Sequence, residues 1–289
     1  MYDILVLGAG PAGLSAAVAA RQKGRSVLVV SNPASQNPLY RAEQVDNYLG
    51  LPAMSGAELM ERFESHARSM GAEFIVGRAV SAMHMGASIF LTVGGDVYEG
   101  RKLILTGGVS RGAKYAGEQE LLGHGVSYCA TCDGMLYRNR PVVVVGRSKD
   151  APMEANFLAS IGCQVTYVSP QTPEGLKADI PFIRAGRIAI EGEGRVAAVT
   201  ADGAKLPCEG VFILRDSVAA NELLPGLAAE NGAITVDRQM HTNLPGVFAA
   251  GDCTGKPLQI AKAVGEGLIA AECAADELTE SERKYFLWQ

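Results

Sequence analysis

Short apolar runs alternate with helical stretches along almost the whole chain. Residues 4–7 are apolar and end in a glycine turn, Gly8-Ala9-Gly10-Pro11-Ala12-Gly13. An Ala-rich helical stretch then runs to about Lys23, and a second apolar run covers residues 27–30. Apolar strands joined by a helix predict a βαβ unit opening a doubly wound sheet. A helix is predicted from about Gly56 to Met70, with Leu59, Phe63 and Ala67 on one face. Short strands follow around residues 73–80, 89–93 and 102–106. Pro141-Val142-Val143-Val144-Val145 starts a second βαβ-like unit, continued by a helix over about 151–161 and a strand over 164–168. The apolar run 211–214, the segment Pro245-Gly246-Val247-Phe248-Ala249-Ala250-Gly251-Asp252 and an Ala-rich helix from about Ile260 to Leu278 complete the pattern. Two units of this kind predict an α/β fold of two Rossmann-like three-layer domains, the second inserted into the first, with boundaries at 1–111 plus 216–289 and at 112–215.

Composition narrows the partners. At 289 residues, 48% of them apolar, the chain is long enough for two cores. A formal net charge of −5 argues against nucleic acid or an anionic membrane as partner. No apolar run approaches the ~18 residues a membrane span needs. The first strand starts at Tyr2 with no basic-then-apolar leader before it, so the cytoplasm is the expected compartment. There a Cys-x-x-Cys pair is catalytic or metal-binding rather than a structural staple. Cys163, Cys208, Cys253 and Cys273 are scattered singly and the four histidines form no spaced pair, so no metal is expected.

Gly8-x-Gly10-x-x-Gly13 sits between a strand and a helix, the context in which this pattern cradles a pyrophosphate. The first glycine allows the turn, the second lets the phosphates approach the backbone and the third lets helix pack on strand. The acidic residue expected about twenty positions on is missing. The strand ends at Val30-Ser31-Asn32, leaving Ser31 or Asn32 to hydrogen-bond the ribose more weakly.

Cys129-Ala130-Thr131-Cys132 places two thiols one turn apart, a spacing at which a disulfide opens and closes as a two-electron couple. Asp133 follows directly; it is either a proton donor to the leaving thiolate or a turn-capping residue. Fourteen residues beyond Cys132, Gly146-Arg147-Ser148-Lys149-Asp150-Ala151-Pro152 occupies the strand–helix turn of the second unit. A serine stands where a glycine would let phosphate approach.

Gly8-Ala9-Gly10-Pro11-Ala12-Gly13, Asp46-Asn47-Tyr48, Gly125-Val126-Ser127-Tyr128-Cys129-Ala130-Thr131-Cys132-Asp133-Gly134 and the segment ending Gly251-Asp252 together resemble the low-molecular-weight thioredoxin reductases over nearly the whole chain. The resemblance implies a homodimer with FAD in the discontinuous domain, on Gly8, Gly10, Pro11, Ala12, Gly13, Ser31 and Asn32. Gly251 and Asp252 would hold the ribityl chain, Asn47 would lie near the isoalloxazine, and Gln259 and Ile260 would offer backbone groups to its polar edge. Asp252 also reads as a simple helix cap. By the same resemblance Cys132 faces the flavin, Cys129 attacks the disulfide of thioredoxin and Asp133 is the acid.

The likeness breaks at the NADPH site. Where the family carries a glycine loop and a His-Arg-Arg cluster for the 2′-phosphate, this chain has Ser148 and Tyr167-Val168-Ser169-Pro170. Such a loss, with the Lys149-Asp150 loop, Arg215-Asp216-Ser217 and Gly251-Asp252-Cys253-Thr254-Gly255-Lys256-Pro257, resembles the ferredoxin-dependent flavin thioredoxin reductases and implies ferredoxin as electron donor. Rival readings are an FAD-dependent dithiol oxidase using oxygen, an NADPH enzyme with a remodelled site, and a non-enzymatic flavin-binding scaffold. Arg138, Arg140, Arg147 and Lys149 read either as a surface that steers an acidic partner or as a solvated turn. Hinges are expected near Arg111-Gly112 and Arg215-Asp216, and the aromatic tail from Lys284 to Gln289 either covers the flavin or docks in a groove.

Overall fold

The computed structural model describes residues 1–107, 114–128, 130–215 and 223–286, without the side chains of Cys132 and of residues 283–286. The chain divides into two compact units, Met1–Ser110 with Ser217–Gln289, and Arg111–Asp216.

In the first unit, β1 (Tyr2–Leu7), β2 (Val27–Ser31) and β3 (Glu73–Val76) pair in parallel, and β1 also pairs in parallel with β6 (Asp96–Leu105). The free edge of β6 is shared. Its first half carries the antiparallel meander of β5 (Ser88–Val93) and β4 (Ala79–Met85), and its last three residues carry the parallel strand β17 (Val247–Ala249), which follows the short antiparallel pair β15 (Ala229–Glu230) and β16 (Ala233–Ile234). The segment expected to be one strand over 73–80 is two, β3 and β4, separated by Gly77 and Arg78; β4 runs on to Met85 and β6 starts six residues before the expected Lys102, because the added residues lie on an exposed meander and lack the apolar run of a buried strand.

Alternation along the strands separates two cores. Ile4, Val6, Val27, Val29, Ile104 and Phe248 face α1 (Pro11–Gln22), α2 (Gly56–Ser69) and the long α5 (Ile260–Phe286). Leu5, Leu28, Val30, Leu103, Leu105 and Val247 face the meander and Leu223, Leu224 and Leu227. Alanines at 16, 17, 20, 270, 271 and 274, all essentially buried, bring α1 and α5 close together. A capping box opens α2: the Ser55 hydroxyl accepts from the Glu58 N–H (3.2 Å) and the Glu58 carboxylate from the Ser55 N–H (3.1 Å).

The second unit is built on an all-parallel sheet in the order β10 (Phe182–Arg184), β9 (Gln164–Ser169), β8 (Pro141–Gly146), β14 (Gly210–Leu214), β7 (Val126–Ser127). The helix α4 (Ala151–Ser160) packs Ala151, Ala155 and Leu158 against Val142, Val144 and Phe212. A separate antiparallel sheet is formed by β11 (Ile188–Gly192), β12 (Val196–Ala201) and β13 (Ala204–Pro207). Both units are thus the α/β type expected. No helix among the described residues is long and apolar enough to cross a membrane.

Candidate active site

The glycine loop lies at the carboxyl ends of β1 and β6, where open α/β sheets bind their ligands. The Gly8 N–H donates to the Val30 carbonyl (2.8 Å), and the buried Thr106 hydroxyl lies 2.9 Å from the carbonyls of both Leu7 and Gly8. A methyl group on Gly13 would stand 1.8 Å from the Gly8 carbonyl oxygen, so the loop and α1 cannot approach unless residue 13 is glycine. Gly10 differs. A methyl there would meet only the Asn37 amide nitrogen, at 3.4 Å. The fold itself does not require glycine at position 10, so the space above it is available to a ligand. No side chain caps α1, and Pro11 has no N–H to satisfy, which leaves the helix start suited to a diphosphate. Ser31 ends β2, and its carbonyl accepts from the Gly77 N–H (2.8 Å); Asn32 follows it, with no carboxylate at this strand end.

Gly251 and Asp252 lie just past β17, and a methyl on Gly251 would be 2.8 Å from the Ala12 Cβ, so this turn and the start of α1 adjoin. With φ of 87° and ψ of −149°, Gly251 occupies backbone space that only glycine visits readily. Two residues from the first turns of α5 brace the turn. Lys262 Nζ donates to the carbonyls of Gly251 and Gly255 (2.8 Å each) and to the Thr254 hydroxyl (2.9 Å). Glu266 accepts from the Gly251 N–H and the Thr254 hydroxyl (2.8 Å each) and lies 3.1 Å from Lys262 Nζ. Sequence reading missed both; the available signal was a Lys and a Glu four apart at the start of the helix that follows a Gly-Asp turn. Asn47 and Gln259, picked out separately in the sequence, are brought together: the Asn47 amide donates to the Gln259 side-chain oxygen at 3.0 Å. Ile260 opens α5 beside them.

In the second unit Cys129 lies outside the described residues, and Cys132 contributes its backbone to α3 (Ala130–Asp133). The Asp133 carboxylate accepts from the Ser127 hydroxyl at 2.7 Å, and its side chain does not cap the turn Gly134–Tyr137 that follows. The remaining cysteines are poor nucleophiles. Burial pushes the thiols of Cys208 and Cys253 up to about 12 and raises those of Cys163 and Cys273, which keeps them protonated at neutral pH.

The turn after β8 is closed by the protein itself. The N–H groups of Arg147 and Ser148 both donate to the Leu214 carbonyl (2.8 and 3.0 Å). The Tyr167 hydroxyl packs so tightly on Gly146 that a methyl there would be 1.9 Å from it. Burial pushes that phenol up to about 12, so it stays neutral. Arg147 donates to the Tyr115 hydroxyl and the Gly186 carbonyl (3.2 Å). At the end of β9, where a nucleotide phosphate would need cations, Ser169 closes a local turn with Gln171. Of the four basic residues grouped in the sequence, Arg140 pairs with Glu209 (3.1 Å) and Arg147 is held as above; Arg138 and Lys149 have no ion-pair partner among the described residues. Arg111, Gly112 and Asp216 of the expected hinges lie outside the described residues, as do Leu287, Trp288 and Gln289 of the tail. The described residues contain no cluster of three His, Cys, Asp or Glu side chains able to hold a metal ion.

Residues 2–267 match the pyridine nucleotide-disulphide oxidoreductase family. The chain is 34% identical to a thioredoxin reductase of Listeria innocua, over 97% of this chain and 96% of that protein. Its fold is similar to that of a ferredoxin-flavin thioredoxin reductase from Clostridium acetobutylicum, with a TM-score of 0.88 and 39% identity over 96% of this chain and 98% of that one. It is also similar to an atypical thioredoxin reductase from Desulfovibrio vulgaris Hildenborough, with a TM-score of 0.74 and 31% identity over 97% and 99% of the two chains. By sequence and fold, the chain belongs to the pyridine nucleotide-disulphide oxidoreductase family, among its thioredoxin reductases.

Proposed function

We propose that this protein passes electrons from ferredoxin, through bound FAD and the Cys129–Cys132 pair, to the disulfide of thioredoxin. One contrast carries the reading. Both loops lead into a helix that no side chain caps, but the first keeps open space above Gly10, while in the second the Arg147 and Ser148 N–H groups are taken by Leu214 and Gly146 is covered by Tyr167. A dinucleotide is accommodated in one unit and has no cradle in the other. The resemblance to a ferredoxin-flavin reductase supports the same donor.

FAD would rest on Gly8, Gly10, Pro11, Ala12 and Gly13, with Ser31 and Asn32 toward the ribose, Gly251 and Asp252 toward the ribityl chain, and Asn47, Gln259 and Ile260 toward the ring. When bound, it supplies the conversion between a one-electron donor and a two-electron disulfide. The protein's own groups do the exchange. The Cys129 thiolate attacks the thioredoxin disulfide, forming a mixed disulfide and releasing one thiolate, which Asp133 or solvent protonates. Cys132 then attacks Cys129 Sγ, releasing the second thioredoxin thiol and closing the Cys129–Cys132 disulfide, which the donor's next two electrons reopen. A plant-type ferredoxin near ~−400 mV and a thioredoxin near ~−270 mV leave roughly 6 kcal/mol per electron pair, so no nicotinamide is needed to drive the transfer. The dithiol unit spans 112–215, the FAD domain the rest, and the enzyme works in the cytoplasm as a homodimer. Leu268 and Ile269, 46% and 39% exposed on α5, are apolar residues that a second subunit would cover.

The brace under Asp252 offers a binding test. Lys262→Met removes three hydrogen bonds from the Gly251–Gly255 turn and the cation beside Glu266. The FAD dissociation constant, read by quenching of flavin fluorescence, is expected to rise about tenfold, the equivalent of ~1.4 kcal/mol. Unchanged affinity would remove this turn from the cofactor site. For the function itself, thioredoxin thiols should appear with reduced ferredoxin as the sole donor and fail to appear with NADPH.

A further inference from the structure

Glu118 is fully buried, the only charged side chain among the described residues buried to that degree. Four donors converge on its two oxygens. Arg215 grips it with both terminal nitrogens (2.5 and 2.7 Å), the Tyr128 hydroxyl donates at 2.9 Å and the Tyr115 N–H at 2.8 Å. The Arg215 guanidinium also lies 5.0 Å over the Tyr115 ring. Burial alone would push this carboxyl up, but Arg215 and the Tyr115 backbone outweigh it and hold it below the usual carboxylate range. Buried ion pairs add little net stability compared with apolar side chains of the same size, so a cluster this complete points to a role in fixing position.

Its members are spaced tellingly along the chain. Tyr115 and Glu118 follow the point where the chain enters the second unit, Arg215 stands where it leaves, and Tyr128 is the residue before Cys129. The strand leading to Cys129, β7, is only two residues long and sits at the sheet edge; Val126 and Ser127 pair with β14, Val126 also bridges Leu122, and no ladder extends past Ser127. Tyr128 lies past that ladder, 8% exposed, with its hydroxyl on Glu118.

We propose that Glu118 is a positioning residue for the dithiol: through the Tyr128 hydroxyl it fixes where the main chain delivers Cys129 to Cys132. The proposal rests on the reading of these two cysteines as a redox pair. Two thiols held in register have a high effective concentration toward each other, which favours the closed disulfide. Loosening the Tyr128 anchor lowers that concentration and favours the open dithiol.

The test is the equilibrium of the whole flavoprotein with reduced and oxidised dithiothreitol, quenched by alkylation and counted by mass. Each turnover passes two electrons and two protons from the small dithiol to the protein disulfide. Tyr128→Phe keeps the ring and the Glu118–Arg215 pair and removes only the hydroxyl. We expect the equilibrium constant to move at least fivefold toward the protein dithiol, about 20 mV less negative at ~30 mV per tenfold. Glu118→Asp, which keeps the charge and withdraws the acceptor by one methylene, should move it the same way. If the wild type forms no disulfide, the redox-pair reading fails. A wild type that does form one, with both variants within twofold of its constant, overturns the positioning role even where the variants melt earlier.

Discussion

Serine in place of Cys129 is expected to abolish thioredoxin reduction while leaving reduction of the bound flavin by its donor intact. The nucleophile of exchange is a thiolate, and a serine hydroxyl is not ionised at neutral pH, so residual turnover should fall below about one part in a thousand. Burial raises the thiols of Cys163, Cys208, Cys253 and Cys273 and so disfavours their thiolates, and none of the four is part of the Cys-x-x-Cys pair. Two readouts on one sample decide the matter: thiols appearing on thioredoxin, and bleaching of the flavin band under argon. Turnover that survives Cys129→Ser means the roles of the two thiols are reversed or shared; loss of flavin bleaching means Cys129 also serves the donor side.

The glycine loop makes the second strong prediction, because two of its glycines are required for different reasons. Gly13→Ala drives a methyl to 1.8 Å from the Gly8 carbonyl, so β1 and α1 must separate. We expect this variant to lose about 3 kcal/mol or more, to melt several degrees lower even without cofactor, and to bind no FAD. Gly10→Ala meets only the Asn37 amide at 3.4 Å, an ordinary contact, and should melt like the wild type when free of cofactor. Its FAD affinity should nonetheless fall at least a hundredfold, ~2.8 kcal/mol, because the methyl stands where the pyrophosphate must approach. A Gly10→Ala protein that binds FAD normally would place the cofactor elsewhere.

Much of this was legible in the chain because local pattern and fold agree there. The apolar run before Gly8 and the alanines after it read as strand and helix from residues close together in sequence. What escaped depends on residues far apart. Ser148 could be seen as a lost glycine, but that Tyr167 covers Gly146 follows only from the pairing of β8 with β9. The start of α5 at Ile260 is legible in the chain, but the Lys262–Glu266 brace exists only because the Gly251–Gly255 turn folds back onto that helix. The same helix runs on to Phe286, past the expected end near Leu278, where Glu282 is anchored by Arg25 and Arg101 from distant parts of the chain. The Asn47–Gln259 contact joins residues 212 apart. The break between β3 and β4 and the early start of β6 leave no mark in the chain, because the residues there are solvated and carry no periodic apolar signal.

In the proposed scheme electrons enter from a protein and leave through the dithiol. An anaerobic titration of the flavin absorption band, with thioredoxin thiols counted in parallel, follows both steps in one sample. Reduced ferredoxin should bleach the band, and thioredoxin should then restore it while gaining two thiols per flavin. NADPH up to about a millimolar should do neither, for want of a cradle in the second unit. Rapid bleaching by micromolar NADPH would rule out ferredoxin as the required donor, and bleaching by a small dithiol with fast recovery in air would mark an oxidase instead.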